Sequence, residues 1–94
     1  MAKILVIDDQ RSIRTTLKDI LELEGYEVDL AENGKEGVEK YAETKYDLVL
    51  TDIKMPEMDG LEVLSLIMEK NSDVPVVMIS GHGDLETAIN TMRL

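Results

Sequence analysis

Apolar positions along the chain switch between two periods. Ile4-Leu5-Val6-Ile7 is an unbroken aliphatic run, which predicts a strand buried on both faces. From about Arg11 to Glu24, Ile13, Leu17, Ile20 and Leu21 recur at helical spacing, and Gly25 stops that helix. Glu27-Val28-Asp29-Leu30-Ala31 alternates polar and apolar residues, as an edge strand does. Asn33-Gly34 then turns the chain into a second helix that carries Val38, Tyr41 and Ala42, with Glu36 and Lys40 paired on its outer face. Leu48-Val49-Leu50 is a third, fully apolar strand ending at Thr51-Asp52. Asp59 and Glu62 form a capping box for a third helix, with Leu61, Leu64, Ile67 and Met68 as its inner face. Val74-Pro75-Val76-Val77-Met78-Ile79 is the fourth strand, with Pro75 near its start, where a missing N–H matters least. Asp84 caps a fourth helix with Leu85, Ala88, Ile89 and Met92 inward.

Strict alternation of β and α elements with short connections predicts a parallel sheet, right-handed crossovers and helices on both faces. The fold class is therefore a doubly wound α/β domain. The fourth strand is apolar on both faces, like an interior strand, and only the second strand has edge patterning. The expectation is that a further β–α unit belongs beside the fourth strand, or that another chain supplies it. Self-association through the exposed fourth strand or the uncovered sheet face follows from the same pattern.

Composition narrows the function classes. At 94 residues the chain is one domain, burying only roughly 60–65% of its unfolded surface. Three Tyr with no Phe or Trp make the core aliphatic. No cysteine is present, so disulfides and thiolate metal sites are excluded, and a reducing, cytoplasmic compartment is expected. The apolar start, Met1 to Asp9, is too short for a signal peptide or a membrane span. A net charge of −10, from 20 acids and 10 bases, offers no basic footprint for nucleic acid. Most of these acids form a solvated surface.

A few acids stand elsewhere. In open parallel sheets, ligands bind beyond the carboxyl ends of the strands. Asp8 and Asp9 end the first strand, Asp52 the third and Ser80 the fourth, so all point into one crevice. Asp8 or Asp9 could simply cap the following helix, but Asp52 is followed by a loop containing Pro56 and has no helix to cap. Carboxylates gathered this closely repel by roughly 2–4 kcal/mol per close pair at an effective dielectric near 20. Retained protons or a hard divalent cation relieve that repulsion. An oxygen-only donor set favours Mg²⁺, with Mn²⁺ as the alternative, over zinc. A carboxylate beside such a cation can attack a phosphoryl donor and form an aspartyl phosphate. The Ser80 hydroxyl and nearby backbone N–H groups could hold the phosphoryl oxygens.

Ile7-Asp8-Asp9, the run Asp52-Ile53-Lys54-Met55-Pro56-Glu57-Met58-Asp59-Gly60, and Ile79-Ser80-Gly81-His82-Gly83 together resemble the receiver domain of two-component response regulators. The resemblance spans the whole chain, 1–94, and the Ser80–Asp84 loop is most similar to receivers of NtrC-type, sigma-54-dependent transcriptional activators. It implies the flavodoxin-like fold of CheY, with strand order 2-1-3-4 for the four strands here. It implies Asp52 as phosphoacceptor and Asp8 and Asp9 as the acidic pair that holds Mg²⁺, Asp9 directly and Asp8 more through water. The Lys54 backbone carbonyl matches the third protein ligand. Ser80 matches the hydroxyl that moves to the phosphoryl group and couples it to the surface of helix four, and the small Gly81 leaves that group accessible. The implied partners are a sensor histidine kinase and, in the parent protein, an output domain of the AAA+ and DNA-binding kind. No direct nucleic-acid binding and no membrane contact are implied.

Receivers of the family carry a fifth strand and helix, with a lysine and a switch aromatic on that strand. The chain stops at Leu94 before either, and none of its ten basic residues fits the lysine's role, so weaker phosphorylation is the expectation. Two other readings compete. A phosphatase working through an aspartyl phosphate would resemble an Asp-x-Asp pattern, but Lys54 stands at its second position. The other reading is an interaction module that is never phosphorylated. The lone His82 is read as a loop residue with at most a modest influence on dephosphorylation, and Met55 and Met58 as local packing rather than a partner contact.

Overall fold

The computed structural model describes residues 2–71 and 73–79. In chain order the elements are β1 (Lys3–Ile7), α1 (Arg11–Leu23), β2 (Glu27–Ala31), α2 (Gly34–Glu43), β3 (Leu48–Asp52), α3 (Gly60–Lys70) and β4 (Val76–Ile79). All strand pairs are parallel and the sheet order is β2-β1-β3-β4, as expected. The fourth helix with its Asp84 cap, and the Ser80–Gly83 loop, lie outside the described residues.

Alternation along the strands divides the core in two. Ile4, Val6, Val28, Leu50 and Ile79 pack on one face against Ile13, Leu17 and Leu21 of α1. Leu5, Ile7, Ala31 and Val49 pack on the other face with Tyr41 of α2 and Val63 and Ile67 of α3. The apolar run of β1 thus serves both layers, which is why it shows no period of two.

Helix ends follow their sequence signals. Gly25 takes φ +95°, its N–H donates to the Glu22 carbonyl at 3.0 Å and the Tyr26 N–H donates to the Leu21 carbonyl at 3.1 Å. That pair of bonds is the Schellman closure, and the positive φ makes glycine the natural residue there. The Asn33 side chain accepts the Glu36 N–H at 2.8 Å and Asp59 accepts the Glu62 N–H at 2.9 Å, so both N-caps are in place. Glu36 and Lys40 pair at 3.3 Å.

Two helix faces differ from the expected ones. In α2 the buried positions are Gly34, Gly37 and Tyr41, with Val38 half-buried and Ala42 exposed. A Cβ at residue 37 would lie 2.3 Å from Ile7 Cδ1, so the closeness of α2 to β1 sets its rotation. In α3 the inward stripe is Gly60, Val63 and Ile67. Leu61 and Met68 are 60% and 43% exposed, and Leu64 is half-buried. Here Gly60 fixes the phase, because a Cβ at that residue would lie 2.3 Å from the Asp52 carbonyl oxygen. The fourth strand is also shorter than its apolar run. Val74 is in the core but precedes β4, and the Pro75 carbonyl accepts the Val49 N–H at 3.0 Å.

Candidate metal centre at the carboxyl ends of β1 and β3

Neighbouring parallel strands deliver their carboxyl ends side by side. Ile7 of β1 is in register with Thr51 of β3, so the residues that follow, Asp8 and Asp52, emerge next to one another. One carboxylate oxygen from each of Asp8, Asp9 and Asp52 lies within 4.8 Å of the others. Among the described residues this is the acidic grouping whose spacing suits one cation.

Asp8 is held most tightly and is only 1% exposed. Its N–H donates to the Ala31 carbonyl at 3.1 Å, and its Oδ1 accepts the Gln10 N–H at 2.8 Å. Its backbone carbonyl accepts from Arg14 Nη1 at 2.8 Å. The remaining oxygen, Oδ2, is buried without a hydrogen-bond partner. Burial pushes the Asp8 carboxyl from 3.8 up to about 6, aided by the charges of Asp52 and Asp9 and opposed by the Gln10 N–H and Arg14. The simple helix-cap reading does not describe this arrangement, because Gln10 is the N-cap of α1 and makes no side-chain capping bond.

Asp52 is half-buried at the end of β3. Burial is the main cause of its raised pKa, and the charge of Asp9 and a hydrogen bond shared with it act in the same direction. The N–H groups of Lys54 and Ile53 oppose the rise, although the Lys54 contact is long at 3.4 Å. The loop after Asp52 is closed by Gly60 N–H donating to the Ile53 carbonyl at 2.8 Å, and Ile53 N–H donates to the Ile79 carbonyl at 3.1 Å. Met55 is buried in the core and Met58 packs against it, so these methionines are packing residues. Glu57, at φ +67°, is the centre of a tight turn in which the Met58 N–H donates to the Pro56 carbonyl at 2.7 Å.

The residues fit a hard divalent cation. Three carboxylates offer oxygen ligands, and a buried oxygen with no donor is the state a cation would relieve. Lys54 is exposed beside Asp52, and Ser80 lies outside the described residues. Arg14 went unread in the sequence. It stands six residues after Asp8 across a turn, a separation that no helical or strand period flags.

Residues 4–94 match the response regulator receiver domain, and the chain belongs to that family. It is 44% identical over 94 residues to the chemotaxis protein CheY of Listeria monocytogenes, an alignment covering 99% of this chain and 79% of that protein. It is 42% identical over 90 residues to the transcriptional regulatory protein ZraR of Klebsiella oxytoca, an NtrC-type regulator, covering 96% of this chain but 20% of that one. Among solved structures it resembles the response regulator TrrA of Thermotoga maritima in complex with Mg²⁺-BeF, with a TM-score of 0.78, 36% identity and full coverage of both chains. The chain is thus a receiver-domain phosphoacceptor of two-component signalling, regulatory rather than an enzyme in the ordinary sense. No helix among the described residues is long and apolar enough to cross a membrane.

Proposed function

We propose that Asp52 accepts a phosphoryl group from a sensor histidine kinase in a Mg²⁺-dependent transfer that switches an output domain controlling transcription. Asp8, Asp9 and Asp52 would hold the cation, Asp9 directly and Asp8 more through water, with the Lys54 backbone carbonyl as a further protein ligand. Ser80 contacts the phosphoryl group and carries the change to the surface of the fourth helix. The observation that supports this best is the unpartnered Asp8 Oδ2 beside two further carboxylates.

The pocket's own groups account for the need for a metal. Burial and the neighbouring acids shift the carboxyls of Asp8 and Asp52 upward, which favours their protonated forms, and a protonated carboxyl is a poor nucleophile. A bound Mg²⁺ would supply the positive charge that favours the ionised carboxylates and offsets the charge of the incoming phosphoryl group. An Asp52 carboxylate oxygen then attacks phosphorus as the bond to the donor nitrogen breaks. The Lys54 and Ile53 N–H groups stabilise the ionised carboxylate beforehand.

Acetyl phosphate, or beryllofluoride as in the TrrA complex, tests this with Mg²⁺ present. Mass spectrometry and NMR are expected to detect an adduct that disappears in Asp52→Asn and on removal of Mg²⁺. An adduct that survives Asp52→Asn would refute the assignment, and continuous phosphate release from a generic ester would favour the phosphatase.

A further inference from the structure

We propose that Arg14 is the positioning residue of the acidic pair, its guanidinium fixing the peptide between Asp8 and Asp9 so that their carboxylates are set for a cation. This rests on the metal reading above and deepens it.

Asp8 is anchored by three hydrogen bonds, each acting on a different part of it. Its N–H binds the Ala31 carbonyl and its Oδ1 takes the Gln10 N–H, which fix the residue on β1 and its side chain on the turn. The bond from Arg14 Nη1 to the Asp8 carbonyl, at 2.8 Å, acts on the peptide that leads to Asp9. A peptide is planar, so holding its carbonyl also sets the Asp9 N–H and the direction in which the Asp9 Cα leaves. Asp9 is exposed and beyond the last residue of β1, so strand pairing does not hold it.

Arg14 is itself well held. It lies one turn into α1, its N–H donating to the Gln10 carbonyl at 3.1 Å, and its side chain is half-buried. Among the described residues, Lys3, Lys18 and Lys40 each form an ion pair with a carboxylate, and Arg14 forms none. A guanidinium clamped on the carboxylate of Asp8 or Asp9 would compete with a metal for the same oxygens. Placed on the backbone carbonyl, it brings positive charge near the Asp8 carboxyl and leaves Asp8 Oδ2 open. Metal sites commonly depend on such supporting contacts, whose loss costs about 10–100-fold in affinity or activity.

The test is a Mg²⁺ titration of the full chain, followed by the amide NMR signals of residues 8, 9 and 52, for wild type, Arg14→Met and Arg14→Lys. Thermal unfolding run in parallel shows which variants are folded. In Arg14→Met the midpoint is expected to rise roughly tenfold, with Arg14→Lys in between because it keeps the charge but not the planar fork. With acetyl phosphate as donor, the half-saturating Mg²⁺ is expected to rise by a larger factor than the limiting rate falls. A merely structural residue would lower the melting temperature and leave the Mg²⁺ midpoint of the folded protein in place. If Arg14→Met does not fold, Arg14→Lys decides, and a wild-type midpoint there overturns the proposal. If wild type itself shows no Mg²⁺-dependent shift, the metal reading has failed, whereas equal midpoints in wild type and variants refute Arg14 alone.

Discussion

Asp29, in the middle of β2, accepts a hydrogen bond from the Tyr46 hydroxyl at 2.7 Å and lies 3.7 Å from Lys3 Nζ, while the nearby Asp47 carboxylate accepts the Lys3 N–H at 2.8 Å. Lys3 Nζ also approaches Glu27 at 4.0 Å and sits 5.8 Å from the centre of the Tyr46 ring. Asp8, at the far end of β1, shares its surroundings with two other carboxylates and keeps one buried oxygen without a donor. The same strands carry both groups. Towards their amino ends each acid meets a donor or a cation, as expected for groups that serve stability. At their carboxyl ends acids face acids, a costly arrangement that only a ligand or retained protons relieve. What separates a functional acid from a structural one here is the partner it lacks.

Replacing Gly60 by Ala should blur the contrast most strongly. Its Cβ would meet the Asp52 carbonyl oxygen at 2.3 Å, a backbone atom that cannot turn aside. A loss of about 2–3 kcal/mol is expected in urea unfolding, together with displaced amide signals around Asp52.

The next effect is the pH response. The Asp8 carboxyl is raised from 3.8 to about 6 in the folded protein, so the folded state binds its proton more readily than the unfolded chain. Metal-free protein should therefore gain stability as pH falls from about 7 towards 4 by way of this group. The full displacement corresponds to at most ~3 kcal/mol. Asp8→Asn should abolish that gain and raise stability at neutral pH by a similar amount, while removing any stabilisation by Mg²⁺. Thermal melts between pH 4 and 8, with and without Mg²⁺, check both signs. A metal-free protein that instead lost stability through Asp8 on protonation would contradict this reading of the site.

Smallest is the effect of Tyr46→Phe. The Tyr46 hydroxyl is shifted upward, chiefly by burial and then by Asp29, and its removal leaves Asp29 with Lys3 alone. A loss of about 1 kcal/mol is expected, with Mg²⁺ affinity unchanged. A change in Mg²⁺ affinity would mean that the two ends of the sheet are not independent.

Much of this contrast was visible before the structure. Asp8, Asp9 and Asp52 could be placed together because each follows an apolar strand, and parallel strands share one carboxyl end. The caps at Asn33 and Asp59 and the stop at Gly25 were equally legible, since each rests on local chemistry. The rotation of α3 was not. Its apolar residues occupy more than one face, so periodicity admits several inward stripes, and the contact of Gly60 with the Asp52 backbone selects one. The Tyr46–Asp29 bond and the Arg14–Asp8 bond join residues 17 and 6 apart across different elements, and no local pattern announces either.

The most direct measurement is a Mg²⁺ titration of the wild-type chain near pH 7.5, followed residue by residue in amide NMR spectra. Saturable shifts are expected at Asp8, Asp9 and Asp52, with Asp29, Tyr46 and Asp47 unmoved, and Asp52→Asn is expected to weaken the response. Shifts of equal size at both groups of acids, or none at Asp8 and Asp52, would contradict the assignment of the unpaired acids to a metal and phosphoryl site.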